Sequence, residues 1–186
     1  ENYFVTIDTS PYPAGSPYYY ISSSNNNTPR GADTSLEFTR QRNKLFAGLV
    51  GLNPDVFGVT ELEAWVGAAA PADFVSGLNA APGISGTYAF IPDPTTGYGS
   101  DAIKNGLFYK VGSVTPVGPS MSSTDPVYKR APIAQTFVDN NGAVFSVIVN
   151  HFKSKGSCPT DSSDPEAEHG QGCWNVTRVQ EAQALL

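Results

Sequence analysis

The sequence predicts an α/β fold in which helices cover a mixed β-sheet. Three observations carry this reading. A strongly signalled helix begins at Thr34. Apolar runs of strand length follow it, the last pair joined by an Asn-Gly turn. A second helical pattern then returns at Arg178.

Taken in order, residues 8–30 hold Ser, Pro, Tyr, Asn and Gly without a period and read as a loop whose Tyr18-Tyr19-Tyr20 run is available for packing. Thr34-Ser35-Leu36-Glu37 matches the capping box, in which hydroxyl and carboxylate each satisfy an orphan amide at a helix start. Phe38, Leu45, Phe46, Leu49 and Leu52 recur at helical spacing and form the predicted inner face, with Arg40, Gln41, Asn43 and Lys44 outside. Asn53-Pro54-Asp55 stops that helix, and Val56-Phe57-Gly58-Val59-Thr60 reads as a short buried strand leading into Glu61. A second helix is predicted within residues 66–82, and strands at Thr87–Ile91, Leu107–Lys110, Gln135–Asp139 and Ala143–Asn150. The last two meet across Asn140-Asn141-Gly142, a hairpin signal because Asn-Gly tolerates positive φ.

Composition narrows the function. The chain has 186 residues, 40% of them hydrophobic and 15% charged, so a core can form and a disordered chain is excluded. No run approaches the ~20 apolar residues of a membrane span. Seventeen acids oppose 11 bases for a net charge of -6, so the protein does not grip nucleic acid by its own positive field. Any chemistry on phosphates needs another source of positive charge. Low Lys content, abundant Asn, Ser, Thr and Gly, and a pI near 4.7 lean towards a secreted or cell-surface protein. Cys158 and Cys173, with fourteen residues between them, are too few for a zinc site and are not spaced as a redox pair. One reading is a single disulfide pinning a long loop, worth about 3 kcal/mol in the chain-entropy model. The other is two unpaired thiols in a reducing cytosol. The start at Glu1, without Met, and the helical pattern running to Leu186 read as one domain over residues 1–186, incomplete at both ends.

Candidate chemistry gathers at a few positions. Glu61 is a carboxylate at the end of an apolar strand, where sheet-based sites collect and a hard divalent cation can be held. His151, one of only two histidines, follows Val147-Ile148-Val149-Asn150 and can move protons near neutral pH. The loop behind it, Phe152-Lys153-Ser154-Lys155-Gly156-Ser157, offers Lys153 and Lys155 as a phosphate cradle. Arg130, in Tyr128-Lys129-Arg130-Ala131-Pro132, is a candidate phosphate clamp. Singly these are ordinary residues: a solvated acid, a structural histidine, a polar loop. Jointly they propose a metal, a histidine and a local basic patch.

The run Asn150-His151-Phe152-Lys153-Ser154-Lys155-Gly156-Ser157-Cys158, followed by Gly170-Gln171-Gly172-Cys173-Trp174-Asn175 and Arg178, resembles the signature of bacterial extracellular nucleases of the endonuclease/exonuclease/phosphatase superfamily. Asn2-Tyr3-Phe4, Arg30-Gly31-Ala32-Asp33, Glu37-Phe38-Thr39-Arg40-Gln41, Glu61-Leu62-Glu63, Asp101-Ala102-Ile103-Lys104 and Phe108-Tyr109 extend the resemblance along nearly the whole chain. It implies a four-layered α/β sandwich that hydrolyses phosphodiesters of DNA, with RNA as a further substrate, using Mg²⁺, or Ca²⁺ or Mn²⁺ in its place. It implies Glu61 as metal ligand, His151 as catalytic histidine and Arg130 beside the phosphate. The cation would then supply the positive charge that the protein lacks. Glu63 rivals Glu61, because residues two apart on a strand share a face, and only the resemblance decides for Glu61.

The chain also departs from the family's pattern. Relatives carry an asparagine ahead of the Asn-Tyr-Phe match, which here falls before residue 1, and Glu1 stands where an apolar residue is usual. Their later Gly-Asp-x-Asn and Asp-His motifs are absent, and His169 stands where they carry an acid. The expectation is therefore a partial domain, inactive alone, whose partners are its nucleic acid substrate and the remainder of its own catalytic domain. Two competing readings are a phosphatase or phospholipid phosphodiesterase of the same fold, and a catalytically silent surface-binding module.

Overall fold

The computed structural model describes residues 2–6, 31–64, 66–159 and 171–186. The predicted loop at 8–30, with its tyrosine run, lies outside the described residues, as do Glu1, Arg30, His169 and Gly170. The fold is α/β with a mixed, curled six-stranded sheet.

Helix α1 (Ser35–Leu52) starts where its cap signal places it. The Thr34 hydroxyl accepts the Glu37 N–H at 3.2 Å, while the Glu37 carboxylate reaches one residue past the cap, accepting from Asp33 N at 3.0 Å. Asn53 closes the helix in the left-handed region, φ 46°, its N–H donating to Leu49 O. Phe38, Phe46 and Leu49 are buried as predicted. Leu45 and Leu52 are not: at 38% and 76% exposed they wall a groove of about 800 Å³ between α1 and the first strand.

Strand β1 (Val56–Glu63) runs past Glu61 and pairs antiparallel with β3 (Ile103–Val111). Helix α2 (Ala69–Asn79) is shorter than the predicted span. Its last residue, Asn79, grips Tyr88 of β2 (Thr87–Phe90) with both amide atoms, accepting from Tyr88 N at 2.8 Å and donating to Tyr88 O at 2.9 Å. β2 pairs with the far end of β3. Phe74 joins the layers: fully buried, it has ring centroids of Tyr3, Phe46, Phe57 and Phe108 between 4.8 and 6.2 Å away.

β4 (Val114–Met121) is the strand that sequence patterning missed. Pro116, Gly118 and Pro119 argue against a central strand. They are tolerated because β4 meets β3 at the single pair Val111↔Val114, so missing N–H groups on that edge break no ladder. The other edge pairs with β5 (Ile133–Asp139) through a register shift, and buried Gln135 donates to the freed carbonyls of Val117 and Gly118. β6 (Val144–Val149) returns across the predicted turn, with Gly142 at φ 85° and Asp139 Oδ1 accepting from Asn141 N and Ala143 N, each at 2.8 Å.

The sheet curls until β6 lies over β1. Gly58 permits the contact: a Cβ there would sit 2.5 Å from Val149 Cγ2. Gly58→Ala is therefore expected to cost about 1–3 kcal/mol by overpacking and to push β6 outward, which urea denaturation measures. An unchanged midpoint would show that the two strands separate freely. Val144 and Ile148 of β6 and Met121 of β4 stay exposed. Helix α3 (Asn175–Gln183) completes the described elements. No helix among the described residues is long and apolar enough to cross a membrane.

Candidate active site

Glu61 owes its position to a defect in β1. Val59 pairs with Gly106 and Leu62 with Lys104, so three steps on β1 oppose two on β3, and Glu61 takes up the surplus at φ 65°. That bulge breaks the alternation that put Glu61 and Glu63 on one face. Glu63 is fully buried and accepts from Val5 N, Thr6 N and the Thr6 hydroxyl, holding the N-terminal segment. The Glu61 side chain is 36% exposed, with Oε1 4.0 Å from His151 Nε2. Two neighbouring acids thus divide the work, one locking structure and one facing the histidine.

His151 leaves the end of β6 on an unpaired segment, and Arg130 fixes that segment. Its Nε donates to His151 O at 3.1 Å and one terminal nitrogen donates to Phe152 O at 2.7 Å. The other lies 3.3 Å from Asp101 Oδ2. The Arg130 side chain is 9% exposed. These bonds commit it to backbone and Asp101, leaving it fewer free N–H groups for the predicted phosphate clamp. Burial pushes the His151 imidazole below its ordinary value, and Arg130 pushes the same way. Glu61 and Asp101 pull partly back. Burial and Arg130 together favour the neutral form of the ring, and Nδ1 is buried with no hydrogen-bond partner among the described residues.

A pH test follows from that cause. A folded-state pKa below the unfolded ~6.5 means that the unfolded chain takes up the proton first, so His151 contributes stability that is fully present above pH ~6.5 and is lost as pH falls from there through the lower folded-state value. Glu181, whose pKa burial raises, runs in the opposite sense, so the His151 share is read as a difference. In chelator-containing buffer the wild type is expected to lose stability relative to His151→Gln between pH ~7 and ~5. Parallel urea midpoints across that range would show that the imidazole is not held neutral.

Lys153 and Lys155 fall on the same loop but in different settings. Lys153 is half-buried with Nζ 4.8 Å from the Trp174 ring centroid; burial, then Arg130 and Lys129, lower its pKa. Lys155 is exposed and lies along Gly172, where a Cβ would come 3.0 Å from its Cδ. Cys158 and Cys173 are joined in a disulfide with Cα atoms 5.0 Å apart, and no free cysteine remains. Trp174 secures the same turn, its indole N–H donating to Gly156 O and Ser157 O. The basic loop is thereby tied to the start of α3.

A divalent ion, implied only by resemblance, needs oxygen donors here. Among the described residues no three His, Cys, Asp or Glu side chains form a metal-holding group. The partly exposed Glu61 carboxylate nonetheless fits Mg²⁺, which is commonly held by one or two carboxylates with waters and substrate phosphate completing the shell. Sequence reasoning gave no role to Asp101 or Glu181, both now seen around the His151 loop. For Asp101 the signal was its place in a quoted motif. For Glu181, which is 3% exposed on a mostly polar helix, periodicity gave none.

No family model matches the sequence, and no curated protein is significantly similar to it. A crystal structure of an endonuclease/exonuclease/phosphatase family protein from Bacteroides thetaiotaomicron is similar at TM-score 0.41 and 18% identity, over 66% of this chain and 48% of that one. The chain thus matches about half of that structure's length, and a likeness at this level says nothing of activity.

Proposed function

We propose that the chain carries part of the active site of a divalent-metal-dependent phosphodiesterase acting on nucleic acid, DNA first, at or outside the cell surface. The observation that carries this reading is the pairing of Glu61, turned out at a strand bulge, with a neutral His151 at 4.0 Å, beside a loop bearing Lys153 and Lys155. Glu61 would hold the ion, Mg²⁺ or Ca²⁺ or Mn²⁺. The ion would supply Lewis-acid stabilisation of the phosphoryl oxygens. His151, whose imidazole burial biases towards the neutral form, is the group able to take a proton at the reacting phosphate. Lys153 and Lys155 draw the backbone phosphates into a protein that is otherwise acidic. The disulfide agrees with an oxidising compartment. A four-layered sandwich belongs to the same reading, with the exposed Val144, Ile148 and Met121 meeting the remainder of the catalytic domain.

The test is digestion of supercoiled plasmid with Mg²⁺, by the 186-residue chain and by a longer chain containing it. The longer chain is expected to cleave, chelator to stop it, and the 186-residue chain to leave the plasmid intact, since one carboxylate and one histidine are part of a set that acts together. Release of inorganic phosphate from a monoester without plasmid cleavage would move the activity to a phosphatase. No turnover of either would leave a binding module.

A further inference from the structure

We propose that Glu181 of α3 is the positioning residue for the His151 segment, which makes α3 a functional arm of the site. The proposal rests on the phosphodiesterase reading for its catalytic consequence.

Residues 150–154 follow β6 without strand pairing, and their partly buried backbone groups need other partners. Three charged side chains supply them. Arg130 takes the carbonyls of His151 and Phe152. Glu181 Oε2 accepts the Lys153 N–H at 2.7 Å, and Arg178 donates to Lys153 O at 3.3 Å. Both backbone groups of Lys153 are therefore held from one face of α3, by residues three apart on the helix. Arg178 also donates to Cys173 O at 2.6 Å, so the clamp is continuous with the disulfide-linked turn.

The arrangement closes on itself. Tyr128, two residues before Arg130, donates its hydroxyl to Glu181 O at 2.5 Å. The 128–130 segment thus grips the His151 loop directly and grips α3, which in turn grips the loop at Lys153. A carboxylate that is 3% exposed costs free energy to bury unless its acceptor capacity is used. Here it is used on the one N–H that anchors the loop just past His151. Without that bond the Lys153 N–H loses its partner, the loop beside His151 keeps only carbonyl-side tethers from Arg130 and Arg178 ahead of the Trp174 and disulfide turn, and the His151 ring loses its fixed distance from Glu61.

The experiment compares Glu181→Ala with Glu181→Gln, which keeps an acceptor oxygen. In the 186-residue chain, hydrogen exchange at the Lys153 amide is expected to quicken at least about tenfold in the Ala variant while α1 amides are unchanged, with Gln restoring protection. The ¹³Cε1 signal of His151 is expected to stay single in wild type and Gln, and to broaden or split in Ala. In the longer, cleaving chain, Ala should lower kcat about 10²-fold with KM unchanged, and Gln should recover most of it. Unchanged Lys153 exchange, or acceleration shared equally by α1, overturns the clamp. A normal kcat in the Ala variant overturns the positioning role. If wild type cleaves nothing, the phosphodiesterase reading fails alone, and exchange and the His151 signal still decide whether Glu181 fixes the loop.

Discussion

On the proposed phosphodiesterase reading, replacing Glu61 by Gln is expected to lower Mg²⁺-dependent plasmid cleavage by the longer chain about 10³-fold, with little change in thermal midpoint. The amide matches the carboxylate in size, and the side chain is 36% exposed, so packing hardly changes while the charge facing His151 is lost. Glu63→Gln should behave in reverse. Its carboxylate receives three donors from Val5 and Thr6 in a fully buried site, so an amide would turn a donor against donors and lower stability. Glu61→Gly sharpens the contrast. Because Glu61 sits at φ 65°, a glycine there should gain stability, of order ~1 kcal/mol, while activity is lost. Near-normal cleavage by the Gln variant would remove Glu61 from the site.

A large loss of stability outside the apolar core is expected at Arg130. Arg130→Met should cost about 3–5 kcal/mol, because it removes the cation paired with the Asp101 carboxylate and the donors to two backbone carbonyls at a site where both charged side chains are mostly buried. Adding Asp101→Asn should return part of that loss, and the double-mutant cycle measures the share due to the ion pair. Urea denaturation with far-UV and near-UV readouts follows both. A cost below ~1 kcal/mol would mean that Arg130 behaves as a surface residue, and it would return the guanidinium to a phosphate-binding role.

Much of the frame was legible in the sequence because its causes are local. A hydroxyl three residues before a carboxylate caps α1 whatever surrounds it, and Asn-Gly closes the β5–β6 hairpin through its own φ preference. The pairing of Cys158 with Cys173 was one of two open readings, and the disulfide resolves it. β4 was hidden because Pro116 and Pro119 forbid a strand only when both edges are paired, and edge pairing is a property of the assembled sheet. Leu45 and Leu52 read as core from spacing, yet they face a groove, since spacing assigns a face without saying what covers it.

The candidate site divides in the same way. The sequence by itself determined which residue types were present: a carboxylate at a strand end, a histidine after an apolar run, lysines behind it. Only the tertiary structure decided their roles. Period-two alternation placed Glu61 and Glu63 together, and a one-residue bulge against β3 sent one towards His151 and the other into the core. Arg130, Asp101 and Glu181 lie about 20 to 50 positions from the His151 loop in the chain, and the curl of the sheet and the return of α3 bring them to it. No window of sequence contains those contacts, because they depend on how far separated segments close on one another.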